Sequence, residues 1–191
     1  MGRRWAAALA VVGVALAAAS LADPLALLAD DSWFYLVIGR NVADGHGITF
    51  SRVTGTNGFQ PLFTILTAPL FWLHGLASLR ALLIVQASLW LATAFVLGLI
   101  VAESSPYTEA RNRRLNTLLV AVLYLGSVFA FRTHLNGLET GFLLLMYVLL
   151  WRLYQRRGLE TPGRAVVFGA LAGLLVLARI DAMFVLIAFA L

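Results

Sequence analysis

The sequence predicts an all-α, polytopic transmembrane protein, and three observations predict it. Hydrophobic residues make up 61% of the 191-residue chain and charged residues 12%, with a mean hydropathy of +0.90; a soluble domain carries roughly a quarter charged residues. The apolar residues gather into runs long enough to cross or enter a bilayer, where each segment must satisfy its own backbone polar groups and so folds as helix. The cations lie between those runs. All 14 Lys+Arg are arginine, and nine of them cluster at Arg3 and Arg4, Arg111 to Arg114, and Arg152 to Arg164, the pattern of loops held on the cytoplasmic side. The net charge of +5 and a pI near 10.4 would suit nucleic acid on one soluble face, but arginines placed this way are topology determinants, and no nucleic-acid partner is expected. With Cys 0 there is no disulfide framework and no thiolate metal site.

Trp5 to Ala29 is an almost unbroken apolar run behind a basic start. It reads as an uncleaved first span, with a signal peptide cut after Ala22 as the alternative; either puts Asp30 on the non-cytoplasmic side. Ser32 to Asp44 has helical periodicity (Phe34, Ile38, Val42), with Arg40 and Asp44 spaced as an i,i+4 pair. Asp31 or Ser32 caps its start, Gly45 stops it, and it is expected to lie along the membrane surface. Gly47 to Phe50 is extended and Thr54 to Gly58 is turn chemistry. Pro61 opens a short helix to Leu73, juxtamembrane or re-entrant, before His74-Gly75 interrupts and Ala81 to Ala102 crosses inward. Leu115 to Phe131 crosses outward, Arg132 to Thr140 forms an outside turn, Gly141 to Trp151 returns, and Val166 to Ala178 crosses out again. Arg179-Ile180-Asp181 makes a tight outside hairpin, since a charge pair inside a single long span is costly. Met183 to Leu191 is about half of the roughly 20 residues a span needs, so the chain reads as the N-terminal portion of a longer protein or an early stop.

On this topology three polar clusters share the outside face: Asp30 with Asp31, Arg132 to Thr140, and Arg179 with Asp181. Three blocks of residues then carry a resemblance, in order along the chain. Asp30-Asp31-Ser32-Trp33-Phe34-Tyr35-Leu36, followed by Gly45-His46-Gly47-Ile48-Thr49-Phe50 and Thr56-Asn57-Gly58-Phe59-Gln60-Pro61-Leu62, is the first. Asn136-Gly137-Leu138-Glu139-Thr140 and Leu177-Ala178-Arg179-Ile180-Asp181-Ala182 are the others. Together they resemble the N-terminal transmembrane module of GT-C superfamily glycosyltransferases, multi-span enzymes related to protein mannosyltransferases and aminoarabinose transferases that use polyprenyl-phosphate sugars. The resemblance covers residues 1–191 as one incomplete module, with residues 30–60 as its first outside loop. Gln60 stands where many members carry His, and Leu138 where Met is common.

The resemblance implies transfer of a sugar from a polyprenyl-phosphate donor to a cell-envelope hydroxyl, in a bacterial-type inner membrane with the active face extracytoplasmic. Asp30 or Asp31 would be the catalytic base; a divalent cation held by the pair is left open. Such a transfer needs a base for the acceptor proton and cations for the departing phosphate. Arginine's fork suits the second role, so Arg132 and Arg179 are the phosphate candidates. Glu139, Asp181 and Asn57 are further substrate-binding candidates. The bland readings sit beside these. Asp30 and Asp31 serve equally as helix caps, Glu139 and Asp181 as ion-pair partners of the arginines, Asn57 as a turn residue, and Trp33 and Tyr35 as interface anchors. The rival to an enzyme is a non-catalytic polytopic protein, either a transporter-like or assembly subunit or an inactive truncated paralogue. A transporter places its ionisable residues near mid-bilayer, where this chain is apolar.

Overall fold

The computed structural model describes residues 18, 21–104, 110–156 and 160–190; most of the expected first span therefore lies outside the described residues. Among those described, the fold is all-α with no strand. Residues 21 and 22 are helical, but the run does not continue as helix to Ala29. Asp23 Oδ1 accepts from the Leu25 N–H at 3.2 Å, and Pro24–Leu27 tightens into a 3-10 turn, because proline starts a helical turn well and cannot continue one.

Helix α1, Ser32–Ala43, follows the two carboxylates. Asp31 occupies its N-cap position without a side-chain capping bond, and the Ser32 hydroxyl turns back to donate to the Ala29 carbonyl at 2.5 Å. Gly45, at φ +80°, stops the helix as a left-handed C′ residue does. Rather than lying free along a surface, α1 buries Leu36, Ile38, Gly39 and Asn41. The loop beyond is folded over Asn41, whose Nδ2 donates to the Thr49 and Phe50 carbonyls at 2.8 and 3.2 Å while its Oδ1 accepts from Arg52 Nε at 2.8 Å. A single antiparallel bridge, Thr49 to Gly55, completes it.

Pro61 opens α2, Pro61–Thr67, which tightens into the 3-10 stretch Ala68–Leu73. This continuous helical stretch packs on α1: a Cβ at Gly39 would lie 3.0 Å from the Phe71 ring. His74 and Gly75 both have positive φ and mark the break. Helix α3, Gly75–Ser104, is about 45 Å long at the usual rise. It is the one described helix long and apolar enough by itself to cross a membrane. Ala94, Gly98 and Ala102 form a small-residue row on it, buried at four-residue spacing; a Cβ on Gly98 would collide with the Thr117 carbonyl oxygen of the next helix. That helix, α4 (Ala110–Leu125), does not run on to Phe131 as the hydropathy suggests. It breaks at Gly126-Ser127 and turns by 72° into α5, Val128–His134. Ser127 caps the new helix by accepting from the Ala130 N–H at 3.2 Å, which makes the break a built feature of the chain.

Helices α6 (Thr140–Gln155), α7 (Pro162–Ala178) and α8 (Ala182–Ala190) share one core, with Leu143, Met146 and Leu150 against Leu175, Ala178 and Ala182. Phe189 near the end of α8 reaches Phe168 near the start of α7, with centroids 5.8 Å apart. Helix α8 thus folds back along α7, and residues 179–181 form the expected hairpin.

Candidate functional site

The site is built where the start of α1, the start of α2, the 135–139 turn and the 179–181 turn meet. Its keystone is the Asn136 to Thr140 turn. Gly137 has φ +79°, and a Cβ there would lie 2.7 Å from Leu28 and 2.8 Å from Ser32, so only glycine lets the turn sit against the entry to α1. The Ala29 N–H donates to the Asn136 carbonyl at 2.9 Å. From the other side Gln86, fully buried on α3, holds the turn with both ends of its amide. Oε1 accepts from the Gly137 N–H at 3.2 Å, and Nε2 donates to the Leu138 carbonyl at 2.9 Å. Thr140 donates to the Thr133 carbonyl at 2.6 Å, and Asn136 Oδ1 accepts from the Leu138 N–H at 3.0 Å. Every polar side chain of the block except Glu139 is therefore spent on the turn itself.

Glu139 is 3% exposed. Its Oε1 lies 3.5 Å from Arg179 Nη1, while Oε2 has no hydrogen-bond partner. Burial pushes its carboxyl above the usual range, and nearby Asp181 adds to this; its own backbone N–H and the Arg179 guanidinium oppose it without cancelling it. Arg179 is shared, its Nε 2.9 Å from Asp181 Oδ1. Its extended backbone, φ −163° and ψ 121°, ends α7 and turns the guanidinium back toward the 136–140 turn. Tyr35 of α1 faces the same space, with the Gln60 amide beside its hydroxyl. Burial raises the phenol's pKa first, then the negative charges of Glu139 and, further down, Asp31. These electrostatic effects join the three sequence blocks in one place.

Of the residues read from sequence, the fold joins Glu139 and Asp181 through Arg179 and sets Asp31 within electrostatic reach of Tyr35. Asp30 lies beside Asp31, both exposed at the site's edge. Arg132 does not join. It is exposed on α5, without an ion pair among the described residues, because the Gly126-Ser127 break redirects that helix. Asn57 is exposed as well, on the loop next to Phe34, and makes no contact with the ionic cluster. Tyr35, Gln60 and Gln86 are the residues missed. Gln86 was the most findable: a lone amide inside an apolar run must find internal partners. No group of three or more His, Cys, Asp or Glu among the described residues is placed to hold a metal ion. Two exposed carboxylates still suit a magnesium-like ion, which takes one or two protein ligands and completes its shell with water and phosphate.

The arrangement offers a cation, a buried carboxyl with one unengaged oxygen and a phenol in one cluster, with two exposed carboxylates at the entry to α1. No protein-family model matches the chain, and neither a curated protein nor a solved structure matches it.

Proposed function

We propose that the chain is the N-terminal module of a GT-C type membrane glycosyltransferase, a multi-pass protein of a bacterial-type inner membrane. It transfers a sugar from a polyprenyl-phosphate donor to a cell-envelope hydroxyl on the extracytoplasmic side. One observation carries the reading: the three blocks that resemble the family, separate in sequence, supply Tyr35 and Gln60, Glu139, and Arg179 with Asp181 to a single cluster. In this mechanism Asp31, or Asp30 beside it, takes the proton of the acceptor hydroxyl as that oxygen bonds to the anomeric carbon. The bond from that carbon to the phosphate oxygen breaks, and Arg179 neutralises the departing polyprenyl phosphate. Glu139, buried behind Arg179, holds the guanidinium toward the phosphate. A divalent cation, when bound, would be held by Asp30 and Asp31 and would supply further charge for the phosphate.

A second reading takes the same ion pairs as ties. Arg179 links the α7–α8 turn to the 136–140 turn whether or not turnover occurs, as it would in a non-catalytic subunit or an inactive truncated paralogue. Glu139 Oε2 favours the first reading, since a tie has no use for a buried carboxylate oxygen left without a partner. The deciding experiment measures sugar transfer in proteoliposomes supplied with polyprenyl-phosphate sugars. Asp30→Asn and Asp31→Asn should between them remove roughly 100-fold or more of the rate, as loss of a general base does, with insertion and folding intact. Unchanged turnover in both, or none in the parent chain under any donor, would overturn it.

A further inference from the structure

About 22 Å from Glu139, at the far end of α6 by helix rise, the molecule carries a second and opposite charge cluster. Glu103 at the end of α3 takes two guanidinium groups at once. Arg152 Nη2 and Nε lie 2.9 and 3.3 Å from its oxygens, and Arg156 Nη2 and Nε lie 2.6 and 2.9 Å away. Nη1 of each arginine is outside this pairing. Arg164 reaches the Arg156 carbonyl at 3.2 Å and adds a third cation. Among the described contacts Glu103 meets two guanidinium groups with a third close by, a local excess of positive charge, and the cluster opens onto a cavity of about 470 Å³ bordered by Ser104 and Gln155.

One helical turn back along α3 and α6 the surface changes character. A groove of about 330 Å³ runs between α3, α6 and α8, lined by Leu97, Ile100, Val148, Trp151, Val185 and Phe189. Trp151 and Tyr154, both more than 40% exposed, stand between groove and cations with Phe189 packed on them at 5.9 and 5.3 Å. An apolar slot, an aromatic pair and an arginine cluster, in that order along one axis, match the parts of a membrane lipid from chain to headgroup.

We propose that this end of the bundle is a binding site for an anionic glycerophospholipid, its phosphate on Arg152 and Arg156 and one acyl chain in the α3/α6/α8 groove. The site is separate from the Glu139 cluster and rests on the proposed membrane location. Charge complementarity selects an anionic headgroup over a zwitterionic one, and the contiguous groove selects a lipid over free phosphate. By clamping α3 to α6 at this end, the lipid steadies the helices that carry Gln86 and Glu139 at the other.

The test uses a variant with Trp151 as its one tryptophan, Trp5, Trp33, Trp72 and Trp90 being replaced by Phe. It is placed in bilayers containing brominated phosphatidylglycerol or brominated phosphatidylcholine, and Trp151 quenching is read. Phosphatidylglycerol should be preferred about fivefold, the scale of one basic residue at an anionic surface, and Arg152→Gln with Arg156→Gln should abolish the preference. Native mass spectrometry of the unaltered chain should show phosphatidylglycerol retained over phosphatidylcholine. Equal quenching by both lipids would overturn the site and leave the membrane location standing, whereas no quenching by either would overturn both. A preference that survives the double substitution, or that millimolar inorganic phosphate removes, would also contradict the proposal.

Discussion

The two ends of α6 hold ionic clusters built from the same residue types with opposite results. At Glu103 one carboxylate meets Arg152 and Arg156 in close, two-point geometry, and its pKa is lowered to about 2, through the Arg152 hydrogen bond first, burial working against it. At Glu139 two carboxylates share Arg179; the closer pair goes to exposed Asp181, and the buried partner is left at 3.5 Å with one oxygen unengaged. The comparison teaches that ion pairs in this chain are not equivalent. Where arginine is in excess the carboxylate is satisfied, and what remains is cationic: the guanidinium nitrogens outside the pairing suit an anion. Where carboxylate is in excess and buried, unspent electrostatic capacity remains, which is what a binding or reacting group needs.

The largest way to break the contrast is at the turn that creates the second cluster. Gly137→Ala must accommodate a Cβ less than 3 Å from Leu28 and Ser32 at a positive φ. It should cost about 3 kcal/mol and separate α1 from the 136–140 turn, read as lost thermal stability in detergent and as protease cleavage near residue 30. Arg179→Ala should cost about 1–2 kcal/mol, the guanidinium being 40% exposed, while removing roughly 100-fold from any transfer activity.

Much of this framework was legible. Proline at Pro61, the Gly45 stop, the His74-Gly75 break and the Arg179 to Asp181 interruption each impose a local geometry that neighbours cannot override, and each stands where the pattern places it. The break in α4 and α5 was hidden because hydropathy is continuous from Leu115 to Phe131 and reports burial, not direction; Gly126-Ser127 was its one visible signal. Arg132 and Arg179 read alike, as single cations on outside turns, yet the 72° turn sends one away from the site and extended backbone at the other sends it in. Burial of Glu139 could not be read at all, since Ser32 and Gln86 come from two distant parts of the chain to enclose that turn.

Smaller effects sharpen the comparison through pH. Glu103 has a folded pKa below its ordinary value, so its contribution is present above about 4.5 and is lost as pH falls from there toward about 2. At 29% side-chain exposure, and after screening, that is about 1–2 kcal/mol, and Glu103→Gln should remove the acid-side slope from a stability profile. Glu139 has the opposite sign. Its raised folded pKa means stability falls as pH rises through that value, so Glu139→Gln should flatten the profile on the weakly acidic side and leave or raise neutral-pH stability. Asn57→Ala and Arg132→Gln should change stability by less than about 0.5 kcal/mol, and Arg132→Gln should leave donor binding within about twofold, in contrast to Arg179→Ala.

The most direct measurement is binding of a polyprenyl phosphate, with and without its sugar, to the chain in lipid nanodiscs, comparing the parent with Arg179→Ala and Arg156→Gln. Saturable binding, tighter with the sugar attached, weakened at least about tenfold by Arg179→Ala and unchanged by Arg156→Gln, is the predicted result. No saturable binding, or equal binding in the parent and Arg179→Ala, would contradict a donor site at the Glu139 end.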